Sequence, residues 1–106
     1  MIRASIIIWL ILTTGAHAET VSVKYHGDVS LDGFECPDIK SSSFVNRICY
    51  DAVNTHLIVQ LRSTYYLYCN VPNVVVTEWT SAPSLGRHYN RNIKSNSNMG
   101  KFDCSK

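Results

Sequence analysis

Apolar and polar residues alternate through the middle of the chain, and this alternation predicts a run of short strands. The segment HLIVQLR places Leu57, Val59 and Leu61 on one face, which is typical of a strand buried mainly on one side. Before it, a segment rich in β-formers ends at Asp51. After it, YYLYCNV ends at Pro72, which has no N–H to donate to a ladder. Three strands joined by short links predict an antiparallel β-meander.

The chain after these strands has a composition that favours helices and loops. A run of three valines after Asn73 favours a strand, yet Asn73 is also a good helix N-cap, so the pattern leaves both structures open. Further on, SLGRHYNRNIK predicts a short helix, because Ser84 can cap it and Leu85, Tyr89 and Ile93 fall on one face. The polar segment SNSNMGK that follows predicts a loop.

The N-terminal segment has the three parts of a secretory signal peptide. Arg3 provides a positive charge, residues 6–12 are apolar, and the sequence AHA at 16–18 matches the small-x-small pattern of a cleavage site. The apolar run is shorter than the roughly 20 residues that a membrane-spanning helix requires. We therefore expect cleavage after Ala18, a mature chain that begins at Glu19, a secreted or periplasmic location, and no membrane association after cleavage.

Four cysteines in a small exported chain predict two disulfides. The sequence has no C-x-x-C pair, which is the spacing that would indicate a metal site instead. Cys49 and Cys69 lie on the outer strands of the predicted meander, about 10 Å apart, whereas a bridge needs Cα atoms within about 7 Å. We therefore expect each of them to reach one end of the chain. The first choice is Cys36–Cys49 with Cys69–Cys104, and the second is Cys36–Cys69 with Cys49–Cys104. Either pairing would hold the two ends of the chain over the sheet face that the helix leaves free.

From residue 41 to residue 94 the chain resembles the KTSC domain, a family named after the C-terminus of some lysyl-tRNA synthetases. The resemblance rests on the order and spacing of a serine-rich start, a first strand ending in YD, a central YLY, then VP, APSLG and YNRNIK. It implies an α+β fold in which a three-stranded antiparallel β-meander is packed by a helix and a short second helix, here as a small disulfide-stabilised domain. It also implies that the valine run is helical and that Tyr66 and Tyr68 face the helix. The family has no established activity, and RNA binding has been suggested for it.

These features divide the chain into a signal peptide (residues 1–18), an N-terminal extension or arm (19–40), a KTSC-like domain (41–94) and a C-terminal tail with Cys104 (95–106). The arm carries five acidic residues and two lysines, a net charge of −3, whereas residues 84–106 carry a net charge of +4. This asymmetry indicates either a polyanion site or an acidic arm that lies along the basic segment. We weight the second interpretation slightly more heavily.

The polar face of the last predicted helix is the best candidate binding surface. Arg87 and Arg91 are one turn apart, and like charges at that spacing cost about a few tenths of a kcal/mol unless an anion offsets them. Arginine binds carboxylate or phosphate through two parallel hydrogen bonds. The YLY tyrosines are more typical of a core than of a base-stacking platform. The candidate binding residues are Arg87, His88, Asn90, Arg91, Lys94, Tyr66 and Tyr68.

The sequence has none of the motifs that we associate with catalysis. It lacks G-x-S-x-G, H-E-x-x-H, a glycine-rich phosphate loop and any cluster with metal-ligand spacing. We therefore expect no enzyme activity, no cofactor and no metal. The favoured function is a small non-catalytic interaction module of KTSC type, whose partner is an unknown protein or an anionic polymer. The alternative is an RNA-binding module that uses the basic helix and the tyrosines, which is disfavoured because an exported protein rarely meets RNA.

Overall fold

Five β-strands form one mixed sheet in the order β2-β1-β5-β4-β3. The computed structural model describes residues 19–98 and 100–105, so the predicted signal peptide lies outside the described residues. The strands are β1 (Thr20–Val23), β2 (Gly27–Ser30), β3 (Val45–Asp51), β4 (His56–Leu61) and β5 (Thr64–Tyr68). Helix α1 (Asn73–Thr80) and helix α2 (Leu85–His88) follow. Helix α2 continues through a π-helical turn (Tyr89–Ile93) and a 3₁₀ turn (Lys94–Asn96), and we call this whole segment the last helix.

Strands β3, β4 and β5 pair antiparallel, with β4 in the middle. Val59 lies opposite Tyr66 across β4 and β5, and both contribute to the core on the side of the helices. In β3 the register shifts at Asn46, so that Val45 and Ile48 both face the helices although they are three residues apart. This β-bulge explains why β3 does not show strict alternation in the sequence.

The prediction of a three-stranded antiparallel meander is wrong, because the sheet has five strands and one parallel pair. The arm forms β1 and β2, and β1 runs parallel to β5 with Val23 opposite Tyr65. In β1, Val21 and Val23 are buried and alternate with exposed neighbours. The extra strands have a physical reason. Without the arm, β5 would be an edge strand with unpaired N–H and C=O groups, and β1 pairs with part of that edge.

The helices cover one face of the sheet, which we call the helix face. Trp79 is fully buried there, and its indole N–H donates to the Leu85 carbonyl oxygen at 2.9 Å. The Tyr50 hydroxyl donates to the Val71 carbonyl oxygen at 2.6 Å. The polar ends of these large side chains are therefore paired while their rings fill the core. Among the described residues, no helix is long and apolar enough to cross a membrane.

Helix α1 begins directly after Pro72, so the valine run is helical, as the family resemblance implies. The alternative role of Asn73 as an N-cap is wrong: Asn73 is the first helical residue, and its carbonyl oxygen accepts a hydrogen bond from the Thr77 hydroxyl at 3.1 Å. The predicted cap of the next helix is confirmed, since the Ser84 hydroxyl accepts from the Arg87 backbone N–H at 3.2 Å. Such a cap satisfies one of the free N–H groups at the start of a helix.

The arm also contributes apolar side chains to the opposite face of the sheet, which we call the arm face. Its residues Val21, Val23 and Leu31 pack against Cys49 and Ile58, and all five are buried. The sheet therefore separates two apolar clusters, one under the helices and one under the arm. This second cluster gives a small domain additional apolar burial, which chains of this size need.

Polar contacts hold both ends of the arm. Near its start, the Glu19 carboxylate accepts hydrogen bonds from the Arg47 guanidinium at 2.7 and 2.8 Å, and these bonds lower the pKa of Glu19. Near its end, Glu35 and Tyr50 exchange both backbone hydrogen bonds at 2.9 Å. Among the described residues the ion pair of the arm joins Glu19 to Arg47 in β3, and none joins the arm to residues 84–106, which does not favour the interpretation of an acidic arm along the basic segment.

The disulfides join Cys36 to Cys49 and Cys69 to Cys104, which is the first of the two pairings favoured from the sequence. The first bridge fixes the arm on the arm face. The second joins the end of β5 to the tail, where the Cys69 N–H donates to the Phe102 carbonyl oxygen at 3.0 Å. Phe102 is buried in the cluster on the helix face. The expectation that the tail covers the face left free by the helix is therefore wrong.

Candidate binding groove

A large open cavity lies between the β4–β5 turn and the last helix. We call it the hairpin–helix groove, and its volume is about 1090 Å³. The groove is lined by the arm turn at residues 24–26, Phe44, residues of the β4–β5 hairpin, the last helix and the tail. Ligand pockets are typically about 300–1000 Å³, so the groove has room for a ligand.

Aromatic side chains form the floor of this groove. Tyr68 and Tyr89 are buried, and their hydroxyl oxygens are 2.6 Å apart in a hydrogen bond. Burial raises the pKa of both phenols, so both remain protonated at neutral pH. Phe44 packs edge-on against Tyr89, with ring centroids 6.1 Å apart. Tyr66 is half-buried beside them and presents part of its ring to the groove.

Three cationic side chains from three elements line the same groove. The Lys24 ammonium in the arm turn lies 5.8 Å from the centroid of the Tyr66 ring. The Arg62 guanidinium in the β4–β5 turn lies 6.0 Å from the centroid of the Phe44 ring. Lys94 is an exposed residue of the last helix. Within the described part of the chain, none of these three cations forms an ion pair.

One carboxylate also lines the groove. The Asp103 side chain in the tail accepts hydrogen bonds from the backbone N–H and the hydroxyl of Ser105, each at 2.8 Å. Three lysine or arginine side chains against one aspartate leave the lining positively charged. A concave surface of one predominant charge attracts ligands of the opposite charge. The groove therefore favours an anionic ligand.

Two bulky residues that line the groove have left-handed backbone conformations. The φ angles are 72° at Tyr25 and 56° at Arg62. Residues with a Cβ atom adopt this region at a cost of about 1–2 kcal/mol. Arg62 is the first residue of the two-residue turn between β4 and β5, a position where positive φ favours glycine or asparagine. Strained positions of this kind cluster at functional sites.

The structure brings four of the seven predicted binding residues to the hairpin–helix groove. They are Tyr66, Tyr68, Asn90 and Lys94. Tyr68 contributes to the floor but is 7% exposed, so little of its ring is available to a ligand. The predicted residues that a ligand can reach there are the other three.

The remaining predicted residues lie elsewhere on the last helix. Arg87 lines a smaller pocket of about 450 Å³ beside the serine-rich segment, a pocket that Asn90 also reaches. His88 is hydrogen-bonded to the Asn92 side chain at 3.3 Å, and Arg91 is exposed. The sequence prediction assumed regular spacing of four residues along one face. The π-helical turn, which has i→i+5 hydrogen bonds, breaks that spacing.

Sequence reasoning missed Lys24, Tyr25 and Arg62 as site residues. Lys24 and Tyr25 belong to the arm, and no pattern in the sequence predicts that the arm turn lies beside β5. Arg62 was assigned to a strand, whereas the structure places it in a turn. The one available signal was the short polar break between two alternating apolar segments, which is typical of a hairpin turn.

The described residues contain no group of three or more His, Cys, Asp or Glu side chains that could hold a metal ion. The structure defines a small disulfide-bridged α+β domain. The KTSC domain model matches residues 41–96, more than half of the chain, so the chain belongs to the KTSC domain family. This is a small domain without known catalytic function.

A solved structure supports the family relationship. The chain is similar to the crystal structure of KTSC domain protein YPO2434 from Yersinia pestis, with 34% sequence identity and a TM-score of 0.54. The match covers 57% of this chain and 86% of that chain. No curated protein matches the chain. The arm and most of the tail lie outside the family match, although both line the groove.

Proposed function

We propose that the protein is a non-catalytic interaction module that binds an anionic partner in the hairpin–helix groove. One observation carries this proposal: Lys24, Arg62 and Lys94 come from three separate elements, line one groove and have no acidic partner in the described chain. Cations that share a groove repel one another, and an anionic ligand would offset that repulsion. The partner is then a protein or another polymer that carries negative charge.

We place this binding in a secreted or periplasmic compartment. The signal-peptide pattern of residues 1–18 and the two disulfides support this location, since disulfides persist in oxidising compartments. The bridges also fix the arm and the tail, both of which line the groove. An oxidised chain is therefore the form in which the groove is complete.

Nucleic acid is the disfavoured ligand. Proteins that bind single strands stack the bases on accessible aromatic faces. In the YLY segment Tyr68 is buried and hydrogen-bonded to Tyr89, and the Lys24 ammonium lies over the Tyr66 ring. Three phosphate contacts would give a log–log salt slope of only about −2. We expect at most weak, salt-sensitive association with RNA or DNA and no sequence preference.

Shift mapping by NMR tests the proposal on the oxidised protein. The probes are an oligoglutamate peptide, a heparin oligosaccharide and a single-stranded oligoribonucleotide, each at an ionic strength of about 0.15 M, where long-range screening is strong. At least one probe should shift the amide signals of Tyr66, Asn90 and Lys94 more than those of Arg87 and Arg91. Larger shifts at the two arginines, or no shift with any probe, would contradict the proposal.

A further inference from the structure

Leu67 of β5 lines the groove and lies between Tyr65 and Cys69, whose backbone groups are paired at the outer edge of the strand. On one side, the Lys24 N–H donates to the Tyr65 carbonyl oxygen at 2.9 Å, which pairs β5 with the arm. On the other side, the Cys69 N–H donates to the Phe102 carbonyl oxygen of the tail. Alternate residues of a strand direct their N–H and C=O groups to the same side. Leu67 is midway between Tyr65 and Cys69, so its groups also point to this outer edge.

Neither the arm nor the tail continues the ladder at Leu67. Strand β1 ends at Val23, and the chain turns back there, with the His26 N–H donating to the Val23 carbonyl oxygen at 3.0 Å. Within residues 19–98 and 100–105, no backbone acceptor pairs with the Leu67 N–H. The Cys104 sulfur lies 3.5 Å from the Leu67 carbonyl oxygen, but a disulfide sulfur has no proton to donate. The paired edge of β5 therefore has a gap of one residue, and Leu67 lines the hairpin–helix groove.

We infer that the groove binds an extended, acidic segment of a partner protein, which pairs with the Leu67 backbone while its carboxylates contact Lys24 and Lys94. This inference rests on the proposed function and names the chemistry of the partner. A peptide offers one C=O and one N–H per residue to a strand edge, which is the pairing used in strand addition. The groove cations select acidic side chains on that peptide.

The arm limits how much of β5 a partner can use. It occupies the edge as far as Tyr65, and the tail occupies it from Cys69, so backbone pairing is confined to the gap between them. The charged groups around the groove must therefore contribute much of the affinity. Lys24 itself lies in the arm, outside the residues matched by the family model. The site consequently requires the arm and cannot be formed by residues 41–96 alone.

An oligoglutamate peptide and the oxidised protein provide the test. Binding should slow hydrogen exchange of the Leu67 amide by about tenfold or more at saturation and leave that of Arg91 unchanged, because a paired amide is protected. The double variant Lys24→Ala/Lys94→Ala should bind about fivefold to tenfold more weakly, as expected for the loss of two exposed ion pairs. The control Arg87→Ala/Arg91→Ala removes the same charge outside the groove and should bind like the wild type.

A second ligand separates backbone pairing from charge. Oligoglutamate with N-methylated peptide bonds keeps the carboxylates but has no N–H donors, so it should bind more weakly than the parent peptide. Equal binding of the two peptides, or unchanged exchange at Leu67, overturns the inference. If only the heparin probe shifts the groove signals, the inference fails while the proposed function stands; if only the oligoribonucleotide does, the inference fails and the RNA-binding alternative replaces the favoured function. If no anionic probe shifts them, both fail.

Discussion

Tyr68 and Tyr89 place two hydroxyl groups in the core of the helix face, and each group is the hydrogen-bond partner of the other. Burial raises the pKa of both phenols, which keeps the pair uncharged. At the residue scale, these tyrosines therefore mainly stabilise the core, and they also form the floor of the groove. Tyr66, half-buried with Lys24 over its ring, is the tyrosine of the cluster whose ring is partly exposed in the groove.

The paired hydroxyls predict a non-additive mutant cycle. Tyr68→Phe or Tyr89→Phe alone leaves one buried hydroxyl without its partner, which should lower the free energy of unfolding by about 1–3 kcal/mol. The double variant removes both polar groups and should lose clearly less than the sum of the single variants. Urea unfolding of all four proteins measures the cycle. Additive losses would show that the two hydroxyls do not depend on each other.

The packing around Gly86 in helix α2 predicts that Gly86→Ala changes stability in the direction opposite to that expected from helix propensity. Propensity alone makes Gly→Ala stabilising by about 1 kcal/mol. A Cβ atom at position 86 would lie 2.6 Å from the Phe44 ring, so Gly86→Ala should instead lower stability by about 1–3 kcal/mol. Thermal unfolding checks the sign, and adding Phe44→Leu should restore part of the loss. A Gly86→Ala protein at least as stable as the wild type would contradict the packing of α2 against Phe44.

At the element scale, the arm connects stability to the candidate site. Its hairpin pairs with β5, its apolar residues cover the arm face, and its turn brings Lys24 to the groove. The disulfide Cys36–Cys49 fixes its end to β3. Removing that bridge should therefore affect the groove although neither cysteine lies in it.

The bridge predicts a local effect of Cys36→Ala/Cys49→Ala. Loss of a disulfide costs about 2–4 kcal/mol, and here the arm should loosen first. Hydrogen exchange of the Lys24 amide, which donates to Tyr65, should become faster by more than that of the β4 residue Val59. The matched control Cys69→Ala/Cys104→Ala frees the tail instead and should leave Lys24 protected. Equal acceleration at Lys24 in both variants would contradict a specific anchor for the arm.

At the scale of the whole molecule, the sequence predicted those elements whose signals are local. Alternation around Val59 predicted β4, and Ser84 predicted the start of α2. Strand distances argued against Cys49–Cys69 and left two pairings open, of which the first choice, Cys36–Cys49 with Cys69–Cys104, is the one in the structure. The helical valine run followed from the family resemblance, because valine propensity alone favours a strand.

The rest of the fold depends on contacts between distant segments. Strand β1 has four residues and only one paired residue, Val23, with its parallel neighbour β5, so its position follows from the open edge of β5 and not from its own pattern. Lys24 reaches the groove only through that pairing. Arg62 was missed because it continues the alternating pattern of the segment HLIVQLR. That pattern does not reveal that Arg62 has a positive φ angle and belongs to the turn. The π-helical turn likewise carries no spacing signal that the sequence analysis could use.

Export of the whole chain yields a separate prediction. Cleavage after Ala18 should give a mature protein that begins at Glu19, the residue that pairs with Arg47. N-terminal sequencing of protein collected from the medium or the periplasm measures the start. A mature chain that retains the apolar residues 6–12 would contradict the signal-peptide interpretation.

The central claim is that the hairpin–helix groove, and not the outer face of the last helix, binds the partner. The most direct measurement compares dissociation constants of two variants with equal loss of charge, using whichever anionic probe shifts the groove signals most. Lys24→Ala/Lys94→Ala should weaken binding by about fivefold to tenfold. Arg87→Ala/Arg91→Ala should stay folded and bind within about twofold of the wild type, since both arginines lie outside the groove and have no ion pair in the described chain. The opposite ranking, with the arginine variant as the weaker binder, would contradict the account.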